Sequence, residues 1–183
     1  MTPEELTIAL STIDHSLDHR KGMALRITAD PSLVLPLLKT AFSGKDPQYI
    51  KACWVLELVA KENLQLLVAH LESFLENVPY LRSESALRPM AKICEYLATA
   101  HFVKGSITLD GKHLDLMASI CFDWLIGNHK VATKAYAMES LYLLGKQFTW
   151  IHPQLGPVLE QNYALGSAAY MARARAVLSK MGN

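Results

Sequence analysis

The stretch Asn128-His-Lys-Val-Ala-Thr-Lys-Ala-Tyr-Ala-Met-Glu-Ser-Leu141 decides the fold of this chain, because its apolar residues recur with the period of an α-helix. The pattern continues through Tyr142 to Gly145. Only four Lys or Glu side chains interrupt it, namely Lys130, Lys134, Glu139 and Lys146. A helix with so few charges is typical of an inner layer, so we expect it to be buried on more than one side.

The pair Lys134-Ala135 in this stretch belongs to a pattern that recurs along the chain, in which a basic residue is followed by a small one. The five pairs are Lys21-Gly22, Lys51-Ala52, Arg88-Pro89, Lys134-Ala135 and Arg173-Ala174. A potential helix-capping residue precedes each pair by 7, 5, 5, 6 and 6 positions; these are Asp14, Asp46, Ser83, Asn128 and Ser167. Such a degenerate internal repeat indicates a stacked helical array.

Start signals and helical periodicity together predict an all-α chain. The segment Thr2-Pro3-Glu4-Glu5 shows the start signals, with a capping hydroxyl, a proline at the first helical position and acids in the first turn. Residues 101–110 are the exception, and we expect either an ordered excursion or a short hairpin there. The predicted helices span residues 3–13, 15–29, 31–43, 47–62, 64–77, 84–100, 111–127, 129–146, 151–164 and 168–181.

Pairing these helices in order gives five antiparallel hairpins in a single domain over residues 1–183, with the basic residue always in the second helix. Successive basic residues are 30, 37, 46 and 39 positions apart, around the roughly 40–47 residues of a HEAT or armadillo unit. The segments 168–178 and 46–56 resemble HEAT second helices. The resemblance implies a right-handed α-α superhelix whose first and last hairpins act as caps. Pro89 lacks the N–H that the family keeps, so we expect a kink or a late helix start there.

Two other runs carry a second resemblance. Lys51-Ala-Cys-Trp-Val-Leu-Glu57 and Ile151-His-Pro-Gln-Leu155 are similar to a group of short bacterial helical proteins that carry the description adenylosuccinate lyase. The lyase family uses a Ser-Ser-x-Met-Pro-x-Lys-x-Asn loop, and this chain contains no Ser-Ser pair. No catalytic position can therefore be carried over from that family.

Stacked hairpins would place Lys51, Arg88, Lys134 and Arg173 in one row, with Lys21 at its start. One interpretation is a binding row for acidic side chains or phosphates, because Lys and Arg supply charge-assisted donors. The other interpretation is structural, with each cation bonded to the cap region of its own or the neighbouring repeat. The preserved spacing between cap and cation favours the structural interpretation.

Two functions follow from this organisation. The first is a cytosolic scaffold that binds a protein or peptide on the surface of its second helices. The second is nucleic-acid binding or repair of the HEAT-like glycosylase type, to which the run Phe122-Asp123-Trp124 points. The near balance of 18 Lys and Arg against 17 Asp and Glu argues against a surface that wraps duplex DNA. An aromatic stripe in the second helices serves as core or grips a peptide; its members are Trp54, Tyr96, Tyr136 and Tyr170.

No other chemistry has support in the sequence. His15 and His19 share the i, i+4 spacing of metal ligands, but no partner ligand is specified, so we expect neither metal nor cofactor. Phosphate-binding loops, G-x-S-x-G elbows and Cys-x-x-Cys motifs are missing, which argues against an enzyme. The chain has three scattered cysteines, an acidic N-terminus and no apolar run of about 18 residues. We therefore expect a cytoplasmic protein with buried, unpaired cysteines and no membrane partner.

Overall fold

The computed structural model describes residues 1–44, 47–164 and 166–182. These residues form eleven α-helices and no β-strand, which confirms the all-α prediction. The helices are α1 (Pro3–Ser11), α2 (Leu17–Ala29), α3 (Val34–Phe42), α4 (Tyr49–Glu62), α5 (Gln65–Val68), α6 (Leu71–Asn77), α7 (Glu84–Thr99), α8 (Gly111–Ile126), α9 (Val131–Leu144), α10 (Ile151–Tyr163) and α11 (Ala168–Met181). Short 3-10 turns occupy Pro31–Leu33 and Val78–Tyr80, and a π-helical turn occupies Ala100–Lys104.

The chain divides into two compact units, and the first covers Met1–Ile93. Helix α4 is central in this unit, where it packs against α1, α2 and α3. Every residue from Val55 to Ala60 is buried, and so are Ala52 and Cys53. Burial therefore extends around the whole helix rather than along the single apolar face that the sequence pattern predicts. The prediction of one domain over residues 1–183 stays a prediction.

The second unit begins at Cys94, and α9 is its central helix. Helix α9 packs against α8, α10 and α11, which confirms that it is buried on more than one side. Its two buried hydroxyl residues are Thr133 and Ser140, both fully inaccessible. The hydroxyl of Ser140 donates to the carbonyl of Tyr136 over 3.0 Å, so its burial leaves no unsatisfied donor.

Helix starts follow the capping signals in part. At α1, Thr2 and Glu5 form the reciprocal hydrogen bonds of a capping box, and Ser167 caps α11 by accepting from the N–H of Tyr170. The expected caps at two other helices are wrong. Ser16 rather than Asp14 caps α2, and α9 begins three residues after Asn128 without a side-chain cap. The predicted cap Asp46 lies outside the described residues.

Two connecting segments differ from expectation. The single helix predicted over 64–77 is wrong, because His70 leaves the helical region with φ −125° and separates α5 from α6. Residues 101–110 contain no strand, so the hairpin alternative is wrong and the ordered excursion is confirmed. The π-helical turn ends at Gly105, whose φ of +61° favours glycine. Beyond it, the N–H of buried Leu109 donates to Nδ1 of His101 over 3.1 Å.

A close approach between His152 and Gly145 fixes α10 against the end of α9. The Nε2 atom of His152 donates to the carbonyl of Tyr142 over 2.9 Å, one of the last carbonyls of α9 that lack an intrahelical partner. The two rings stack with centroids 5.7 Å apart. A Cβ at position 145 would overlap the imidazole ring, so this packing requires glycine.

We expect Gly145→Ala to destabilise the protein by about 1–3 kcal/mol, because the added methyl overpacks the contact with His152. Urea unfolding of the single variants and of the Gly145→Ala/His152→Ala double variant measures this effect. Gly145→Ala should lower the free energy of unfolding less in the His152→Ala background than in the wild type, so the double variant should be more stable than the sum of the two single effects. Strict additivity of the two substitutions would contradict the packing described here.

The three cysteines, Cys53, Cys94 and Cys121, are buried and unpaired by disulfides, which confirms their assignment as small apolar core residues. Burial raises the pKa of the Cys53 thiol to about 12. The pKa of the Cys94 thiol is also raised well above its ordinary value, first by a hydrogen bond with Cys121 and then by burial. Neither the Cys53 thiol nor the Cys94 thiol is therefore primed as a nucleophile.

We expect all three cysteines to resist alkylation in the folded protein. With a pKa of about 12, the Cys53 thiolate is populated at roughly one part in ten thousand near pH 8. Mass spectrometry after iodoacetamide treatment should show no adduct under native conditions and three adducts in denaturant. Rapid native labelling of Cys53 would show that α4 is not the buried central helix.

Candidate binding surface on the second helices

The five basic-small pairs all lie in α2, α4, α7, α9 and α11, which are the second helices of the predicted hairpins. The structure thus places each candidate cation in the kind of element that the repeat pattern predicts. The cations differ in what they contact. Some of them join helices, and others project into solvent without a partner among the described residues.

Lys51 joins two helices of the first unit. Its Nζ donates to the carbonyl of Ser11 over 2.6 Å. Ser11 is the last residue of α1, where carbonyls lack intrahelical partners and the helix dipole favours a cation. Lys51 therefore joins α4 to α1, through a backbone carbonyl rather than through a predicted cap residue.

Trp54, one turn beyond Lys51, supplies a hydrogen-bond donor that Pro89 cannot supply in α7. Helix α7 begins at Glu84, directly after the predicted cap Ser83, so the late start expected at Pro89 is wrong. Pro89 has no N–H to donate to the carbonyl of Ser85 four residues earlier. The indole Nε1 of Trp54 donates to that carbonyl instead, over 3.0 Å. The side chain from α4 thus replaces the missing helical hydrogen bond.

The Trp54 ring also contacts α2 and the turn before it. The guanidinium carbon of Arg20 lies 5.7 Å from the Trp54 ring centroid, within the range of a cation–π interaction. The His15 ring lies 5.1 Å from it at a tilt of 44°. His19 instead pairs with Asp14 over 3.0 Å, so the two histidines that share metal-ligand spacing have separate partners. No cluster of potential metal ligands occurs in the described part of the chain.

Arg88 lies between two contacts that join α7 to α4. Ser85, three residues before it, accepts from Trp54, and Lys92, four residues after it, binds Glu57 over 2.6 Å. Residues at these spacings share one helix face. Arg88 is exposed, and within residues 1–44, 47–164 and 166–182 it has no hydrogen bond, ion pair or ring contact. Arg88 therefore lies next to the contacts between α4 and α7, and its guanidinium N–H groups donate to no described residue.

The ion pair of Lys92 with Glu57 is a functional contact that sequence reasoning missed, and the second unit has a counterpart. There, Nζ of Lys180 on α11 binds the Glu139 carboxylate on α9, at 2.6 and 2.8 Å. In both units a lysine of a later second helix binds a glutamate of an earlier one. Glu57 is only 5% exposed, and its place within the apolar run from Val55 to Ala60 was the available signal.

The remaining candidates lie in the second unit on different sides of their helices. Arg173 is seven residues before Lys180, so it shares the α11 flank that reaches Glu139. It is exposed and has no partner in the described part of the unit. Lys134 is half-buried and five residues before Glu139, which places it about 140° around α9 from that contact.

The aromatic candidates are largely structural. In the run Phe122-Asp123-Trp124, the Phe122 ring stacks on Trp150 with centroids 5.6 Å apart, while Trp124 is 4% exposed. Asp123 is exposed, so the acid and Trp124 point to different sides of α8. Tyr170 is also buried, at 4% exposure. Trp54, Tyr96 and Tyr136 of the stripe are half-buried, and Trp54 has the Arg20 guanidinium as a neighbour.

Comparisons with protein families, curated proteins and solved structures gave no match for this chain. Among the described residues, no helix is both long enough and apolar enough to cross a membrane.

The Trp54 contact predicts a measurable coupling with Pro89. We expect Trp54→Phe to destabilise the protein by about 1 kcal/mol, because the Ser85 carbonyl loses its donor. In a Pro89→Ala background the restored N–H can bond that carbonyl, so the same substitution should cost less. Urea unfolding of the double-mutant cycle measures the coupling free energy.

Trp150→Phe is the matched control for this cycle, because the Trp150 indole N–H has no hydrogen bond to any described residue. It should show no coupling to Pro89→Ala. Equal costs of Trp54→Phe in both backgrounds would contradict the carbonyl replacement.

Proposed function

We propose that this chain is a non-enzymatic, cytosolic scaffold of HEAT-like hairpins that binds a protein or peptide partner through its second helices. The observation that carries the proposal is Arg88, an exposed guanidinium without a hydrogen bond, ion pair or ring contact to any described residue, on the face of α7 whose Ser85 carbonyl binds half-buried Trp54. Exposed arginine and tryptophan are the residue types that dominate binding energy at protein interfaces. The three reduced, buried cysteines fit a reducing compartment.

Packing within each unit supports a superhelical stack. In the first unit α2 packs against α4 and α1 packs against α3, so like helices of successive hairpins are neighbours. In the second unit α9 packs against α11, again second helix against second helix. A right-handed superhelix of five hairpins predicts these neighbours. In such a stack the second helices form one continuous binding surface.

The chemistry of this surface favours an acidic partner segment. Lys51 and Lys92 are committed to helix contacts, which leaves Lys21 and Arg88 in the first unit and Arg173 in the second to bind carboxylates. Lys134, half-buried, would contribute charge at the side of α9. Arginine binds carboxylates through two parallel hydrogen bonds, which favours an acidic segment at Arg88 and Arg173.

Affinity purification with quantitative mass spectrometry tests this function. We expect Arg88→Glu to reduce capture of a specific partner about tenfold or more, because a desolvated interface arginine contributes about 2 kcal/mol or more. The thermal midpoint should stay nearly unchanged, since Arg88 is exposed and makes no hydrogen bond, ion pair or ring contact with a described residue. Lys39→Glu, the same charge change at an exposed position of the first helix α3, is the control and should retain the partner.

Three results would overturn the proposal. One is equal capture by Arg88→Glu and Lys39→Glu, and another is a large loss of stability in Arg88→Glu. The third is DNA binding that weakens steeply with salt, which would establish the nucleic-acid alternative. Absence of DNA binding at about 50 mM salt would remove that alternative.

A further inference from the structure

A groove lies between α10 and α11 of the second unit. It has a volume of about 500 Å³ and is lined by Glu160, Tyr163, Arg175, Leu178 and Ser179. Glu160 and Tyr163 are one turn apart on α10, and the other three residues share one face of α11. The groove therefore brings an acid, a base, two hydroxyls and an aliphatic side chain together.

Arg175 is held in this groove by a neutral group rather than by an acid. Its Nε and Nη2 donate to the Tyr163 hydroxyl over 3.0 and 2.6 Å, and its guanidinium carbon lies 5.9 Å from the ring centroid. A guanidinium has five N–H donors, so these bonds leave three for a ligand. Because Tyr163 already restricts the side chain, a ligand would meet an arginine that has lost part of its rotamer freedom.

The other lining residues restrict which anion fits. Leu178 gives the groove an aliphatic wall next to the guanidinium. Glu160 adds a negative charge and has no ion pair or hydrogen bond among the described residues. A second negative charge repels phosphate and other polyanions. The same carboxylate attracts a ligand that carries a cation next to its own carboxylate.

We propose that this groove binds a peptide segment of a partner protein in which an acidic residue, an aliphatic residue and a basic residue follow one another. The acid binds Arg175 and the Tyr163 hydroxyl, the aliphatic side chain packs on Leu178, and the base pairs with Glu160. Arg175 is two residues from Arg173, about 200° around α11, so this groove does not use the cation of the predicted row on that helix.

The probe is the peptide acetyl-Asp-Leu-Lys-amide, followed by NMR through the Nε–H resonance of Arg175 and the methyl groups of Leu178. We expect saturable shifts of both resonances. The matched peptide acetyl-Asn-Leu-Lys-amide should bind about tenfold more weakly, because it lacks the charge-assisted hydrogen bonds. Inorganic phosphate should bind more weakly than the Asp peptide to the wild-type protein.

Variants separate recognition from folding. Arg175→Gln should abolish the Leu178 shifts. Tyr163→Phe should weaken binding about threefold or more, because the ligand loses the Tyr163 hydroxyl and Arg175 regains rotamer freedom. Glu160→Gln should weaken the Asp peptide and strengthen phosphate. Matching amide spectra elsewhere in the chain would show that the variants fold. Equal binding of both peptides, tighter binding of phosphate than of the Asp peptide, or persistence of the shifts in Arg175→Gln would overturn the proposal.

Discussion

Burial of a second helix on nearly every side is the constraint on which each unit depends. Eight of the fourteen residues are buried in α4, and eight of fourteen are buried in α9. The neighbouring helices exclude water from these residues, so neither helix could bury them alone. Such burial makes the hydrophobic contribution large. It also forces a buried charge on these helices to find a partner, because an unpaired buried charge is strongly unfavourable.

The contact of Lys92 with Glu57 and that of Lys180 with Glu139 satisfy this requirement in the two units. The same requirement explains why cations of similar sequence context have different roles. Lys51 faces the carbonyl end of α1 and is used there, whereas Arg88 faces solvent between two contacts and keeps its donors. Sequence spacing alone treats these cations as equivalent, and only the neighbouring helix distinguishes a joining residue from one available to a partner.

Much of the fold could be predicted because local rules control it. The capping box at Thr2 and the cap at Ser167 follow from residue type and spacing within one turn, and the inner position of α9 follows from its scarcity of charge. The break at His70 carries no proline or glycine signal. The partners of Glu57, Trp54 and Lys51 lie 35, 31 and 40 residues away, where no local pattern selects one candidate over another.

Pro89 has a consequence for how α4 and α7 recognise each other. Packed helices can interdigitate in more than one alignment, and neighbouring alignments differ by a translation of one turn, about 5.4 Å. Proline creates one acceptor at one height on α7, and Trp54 is the donor that meets it. Any slipped alignment would leave that oxygen without the indole and the indole without that oxygen. The proline thus makes shifted alignments of α4 and α7 less stable than the native one, and so favours a single alignment of the two helices.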